Sequence, residues 1–138
     1  MKSKFLVNKS KENYYSKELD CYIRKNGEIV IPGEDVVYKP QEEDEFFKIE
    51  FKFRAVNHAE NRDILSQSVS VDGDGNARID IATFNDLRLR AVLREWNLVD
   101  EDGEVLPVTN RNIDNLNPAI SASMISVINE TLGLGVSV

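Results

Sequence analysis

The sequence predicts an α+β fold: a small N-terminal antiparallel sheet, made of a β-hairpin and one long strand, packed against three or four C-terminal helices. Three observations carry this. An Asn26-Gly27 pair separates two β-forming runs within residues 22–31. Residues 46–56 alternate between apolar and charged side chains. From Asn57 onward, apolar residues recur at helical spacing between recognisable caps. Residues 1–56 thus read as β-rich, 57–133 as helical and 134–138 as a flexible tail, in a single domain.

Taken in order, Asn26-Gly27 supplies two residues that tolerate positive φ, which predicts a type I′ hairpin turn. Pro32-Gly33 ends its second strand, Val36, Val37 and Tyr38 form a short extended piece, and residues 39–45 are an acidic surface loop. In the long strand Phe47, Ile49, Phe51, Phe53 and Ala55 share one face, and Lys48, Glu50, Lys52 and Arg54 the other. Three phenylalanines and an isoleucine need a cover, and the helices of the same chain are the only candidates.

Asn57 and Glu60 have the spacing of a capping box, so a helix is expected over residues 57–68 with Ile64 and Leu65 inward. Residues 70–81 read either as a Gly-rich turn between two short extended segments or as a loop leading into the next helix. Thr83 is the expected N-cap of a helix over residues 84–97, with Phe84, Leu87, Ala91 and Trp96 along its stripe and Leu89, Val92 and Leu93 widening it. Arg88, Arg90 and Arg94 take its remaining surface as a basic strip. After an acidic turn at 100–104, Thr109 caps a one-turn helix that carries Ile113 and Leu116 inward. The last helix has the sharpest ends, with Asn117 as N-cap, Pro118 at its first position and Gly133 past its end, and with Ile120, Met124, Val127, Ile128 and Leu132 on its apolar face. The tail 134–138 is either disordered or adds to something as a strand.

The chain has 138 residues, 41% hydrophobic and 30% charged, which places it with folded globular proteins. Seventeen Lys and Arg against 24 Asp and Glu leave a net charge of −7, which argues against a nucleic-acid partner. No apolar run is long enough for a membrane span or a signal peptide, and a single cysteine fits a reducing compartment, so a cytoplasmic location is expected.

Catalytic chemistry finds little support. Asp72, Asp74 and Asn76 open like a calcium loop, but Ala77 stands at the position that needs glycine and Thr83 at the one that needs a bidentate carboxylate. The 100–104 loop fails in the same way, at Val105 and Arg111. His58 falls in the first turn of a helix with no nucleophile near it in sequence. Cys21 follows Asp20, which disfavours a thiolate, and its place in a strand suggests burial. No phosphate-loop, nucleophile-elbow, zinc-protease or dinucleotide signature is present. The expectation is a protein without enzymatic activity, cofactor or metal. Arg88, Arg90 and Arg94 are the candidate partner-binding residues, against the plainer reading of a solvated helix face paired with the acidic loops. Trp96 reads as a core anchor, with an exposed binding edge as the alternative.

The C-terminal half is more specific. Phe51-Lys52-Phe53-Arg54 precedes a helix; Trp96 is followed by an acidic turn at Gly103, then Pro107-Val108-Thr109, a short helix, Leu116-Asn117-Pro118 and a closing helix. This run, over about residues 46–132, resembles the tail assembly chaperones of long-tailed bacteriophages. The resemblance implies a non-enzymatic helper in the host cytoplasm that binds the tape-measure protein and tail-tube subunits and is left out of the virion. The matched positions are turn and core residues, so no site residue is carried over. The alternative is a structural tail or head-tail subunit of the virion that forms a ring or other homo-oligomer through strand-prone material near its ends.

Overall fold

The computed structural model describes residues 14–33 and 36–133. Its elements are β1 (Tyr14–Ile23), β2 (Ile29–Val30), β3 (Glu45–Arg54), α1 (His58–Gln67), β4 (Val69–Val71), β5 (Ala77–Ile79), α2 (Ile81–Val92), β6 (Leu93–Trp96), α3 (Asn110–Asp114) and α4 (Pro118–Leu132). Four strands form an antiparallel sheet in the order β2-β1-β3-β6, and β4 and β5 form a separate hairpin. The expected α+β architecture is present, with a sheet longer and wider than the sequence suggested.

The alternation in β3 governs the packing. Ile49, Phe51 and Phe53 are fully buried, while Lys48, Glu50 and Lys52 are exposed. β1 pairs with β3 along its whole length, from Tyr14 opposite Arg54 to Ile23 opposite Glu45. Cys21 and Phe47 therefore join the same inward face, and Cys21 is buried as expected. The cover comes from Leu89 and Val92 of α2, Ile113 of α3 and Ile120, Met124 and Ile128 of α4. Removing this much apolar area from water supplies the main driving force of the fold.

The caps follow the sequence closely at three helices. Asn57 accepts the amide hydrogen of Glu60, Thr109 that of Asn112, and Asn117 that of Ala119 with Pro118 at the first helical position. Ile113 and Leu116 turn inward as expected, and Gly133 follows α4 with φ +81°. The Glu60 carboxylate makes a two-point pair with Arg54 at 2.9 and 2.6 Å, tying α1 to the end of β3.

Four expectations need correction. The turn at Asn26-Gly27 is not type I′, because only Gly27 has positive φ (+86°). Its amide bonds back to Arg24 and the Arg24 amide to Glu28, which is a type I turn closed by a left-handed glycine. Val36 and Val37 are exposed and belong to no strand. The helix expected over 84–97 starts at Ile81, capped by Asp80 rather than Thr83, and stops at Val92. The competing option that ends it is strand pairing: Leu93–Trp96 extends as β6 along β3, so Leu93 and Trp96 reach the sheet core as strand residues. A helical part beginning at 57 therefore contains three strands, one of which completes the N-terminal sheet. Of the two readings for residues 70–81, the turn between extended segments holds. The tail 134–138 lies outside the described residues.

Phe53→Ala should cost about 3–5 kcal/mol in urea unfolding, because the ring is fully buried where β1, β3 and β6 meet. At α2 the Asp80 carboxylate is held below the usual carboxylate range, chiefly by the Thr83 backbone amide, and its contribution is lost as pH falls through that lowered value. Asp80→Asn keeps a capping oxygen without the charge. The melting-temperature advantage of the native protein over this variant should be constant above the ordinary carboxylate range and disappear as pH falls through the lowered value.

Candidate functional site

Among the described residues, a groove of about 880 Å³ lies where β6 meets the exposed face of the sheet. Its floor is set by register: Ser16 lies opposite Lys52, Glu18 opposite Glu50 and Lys52 opposite Glu95, all exposed and on the side away from the phenylalanines. An ion pair spans it from Lys52 to Glu95 at 3.4 Å, and Glu18 pairs with Lys48 at 3.4 Å. Asn97 prolongs the β6 pairing with its side chain, donating to the Lys48 carbonyl at 2.9 Å and accepting from the Glu50 amide at 2.8 Å.

The wall is aliphatic: Val105, Leu106, Pro107 and Val108. The chain folds back to build it. Val99 bridges Val105, the Leu106 amide bonds the Leu98 carbonyl at 2.8 Å, and the turn between them closes on Asp100, whose Oδ1 accepts the amides of Asp102 and Glu104. The Trp96 indole N–H donates to the Leu106 carbonyl, locking wall to strand. Trp96 is a buried anchor, as its plainer reading had it, although it stands on a strand. Val105 is 60% exposed.

The basic strip does not form. Arg88 is 1% exposed, because the spacing of Phe84, Arg88 and Val92 places it on the inward face of α2. Arg90 is engaged by Asp86 at 3.1 Å, by Asp114 and by the Asn110 carbonyl; the Asp114 hydrogen bond raises its pKa. Arg94 belongs to β6, at the register shift where Lys52 faces Glu95 and Phe53 faces Leu93, and its guanidinium donates to the carbonyls of Ala91 and Leu93 at the end of α2. Of the three, only Arg94 lines the groove. Phe51, Lys52, Trp96, Pro107 and Val108 also line it and stood out in sequence as strand, anchor or turn residues, but their convergence had no sequence signal, since it arises only once β6 joins the sheet.

The candidates for chemistry stay apart. His58 is exposed at the start of α1. Burial pushes the Cys21 thiol up, which disfavours its thiolate. Asp72, like Asp100, spends Oδ1 on backbone amides, those of Asp74 and Asn76. Among the described residues no group of three or more His, Cys, Asp or Glu side chains is placed to hold a metal ion, and no helix is long and apolar enough to cross a membrane. No family model, curated protein or solved structure matches the chain.

Trp96→Phe keeps the buried ring and removes the indole donor. It should cost about 1–2 kcal/mol and speed hydrogen exchange selectively over residues 98–108.

Proposed function

We propose that this protein is a non-enzymatic morphogenesis factor of a long-tailed bacteriophage, a tail assembly chaperone that binds the tape-measure protein and tail-tube subunits in the host cytoplasm. The observation that carries the reading is the groove: an open concavity with an aliphatic wall, a charged floor and no histidine or cysteine in its lining. Such a surface suits an apolar protein segment, with charged groups at its margin to fix register. A net charge of −7 keeps the resulting complex dispersed while the client is long and apolar. The resemblance over residues 46–132 names the client class, and this run includes β3, β6 and the wall.

A second reading, a structural tail or head-tail subunit, is favoured by a different observation. The β4–β5 hairpin exposes Val69, Val71 and Ile79, and β1 has a neighbouring strand on its outer side only at Tyr22 and Ile23 among the described residues. Apolar hairpins and open edges are material for ring contacts.

Co-expression with the tape-measure protein of a long-tailed bacteriophage decides between these. The chaperone reading expects a co-purifying complex, weakened about tenfold or more by Val105→Glu, and absence of the protein from purified virions. Stoichiometric presence in mature particles together with a stable ring by light scattering would establish the structural reading instead.

A further inference from the structure

Arg88 is the one charged residue buried among the described residues. Its guanidinium lies 5.0 Å from the centre of the Phe84 ring, and Nη2 donates to Asn129 Oδ1 on α4; Asn129 in turn reaches Asn85 Oδ1 at 3.4 Å. Nε is buried and has no acceptor. No carboxylate among the described residues lies within ion-pairing distance, although Arg90, two residues on and partly exposed, has two. A buried cation without a counter-charge is costly, and the described acidic residues leave this one unmatched.

Asn129 connects Arg88 to the surface. It lines a shallow depression of about 380 Å³ along α4, with Ala122, Ile125, Ser126 and Glu130. Ala122, Ile125, Ser126 and Asn129 fall at i, i+3, i+4 and i+7 on one face of α4, and the small side chains at 122 and 126 allow a second helix to approach closely.

We propose that the α2–α4 seam over Arg88 is a receptor for a carboxylate carried on a helical segment of a protein partner. The carboxylate would take the Nε–Nη2 edge of the guanidinium side-on, displacing Asn129 Oδ1 and giving Nε the acceptor it lacks. Glu130 at the rim opposes this entry and sets a limit on affinity. The inference shares with the proposed function only the premise that the protein binds proteins; the seam lies outside the groove, so failure of the tape-measure test leaves it standing.

The test uses the intact protein, labelled with ¹⁵N-arginine, since a buried guanidinium Nε–H gives an observable NMR signal. The probes are a capped alanine-rich helical peptide with two glutamates one turn apart and the same peptide with glutamines. The glutamate peptide should shift the Arg88 Nε–H signal saturably, and the glutamine peptide should leave it in place. Arg88→Met should weaken glutamate-peptide binding about tenfold or more while keeping or raising the melting temperature, because an unmatched buried charge is replaced by an apolar chain of similar length. Glu130→Gln should tighten binding, and this variant decides the matter if Arg88→Met does not fold. Absence of a shift with the glutamate peptide, equal shifts with both peptides, or indifference to Glu130→Gln would overturn the proposal. So would self-association of the free protein that Arg88→Met abolishes, which would make a second copy the source of the carboxylate.

Discussion

Three fully buried side chains on one strand, Ile49, Phe51 and Phe53, impose the condition that the other elements meet. A strand with so apolar a face needs a partner on each edge and a layer above. β1 takes one edge, β6 the other, and α2 and α4 bring Leu89, Val92, Met124 and Ile128 over the rings. The short β6 follows directly on α2, so one segment supplies both part of the cover and an edge. The groove results from this arrangement: its wall folds back from the end of β6, and its floor is the charged side of the same sheet.

Where the sequence was legible, the signal was local. The period of two in residues 46–56, Pro118 between Asn117 and the apolar stripe, and Thr109 before a short helix are decided within a few residues, and the structure agrees. Residues 93–96 were not legible for the opposite reason. Leu93, Arg94, Glu95 and Trp96 continue a helical pattern acceptably, and only the open edge of β3, some forty residues earlier, makes the extended conformation better. Likewise the first ten-residue strand showed only its end, because residues 14–20 are mixed in polarity and depend on β3 for pairing.

The three arginines illustrate how little residue type says about location. Equal in charge and close in sequence, they occupy three environments: Arg88 beneath Asn129, Arg90 between two aspartates, and Arg94 against the last carbonyls of α2. The spacing of Phe84, Arg88 and Val92 was the available sign that one of them points inward. Reading the charge alone produced a strip; reading the period places one cation in the core, where it has the most leverage on stability.

β1 lies outside residues 46–132, yet it faces β3 in ten consecutive residue pairs. The first β-strand therefore acts as a guard for the second. A shorter relative retaining only the later run would display an apolar strand with one side of its backbone unsatisfied, and such a chain has two outlets, stacking edge to edge into fibres or borrowing a strand from its client. In this protein the guard is covalently supplied, so that edge of β3 is completed without a second chain.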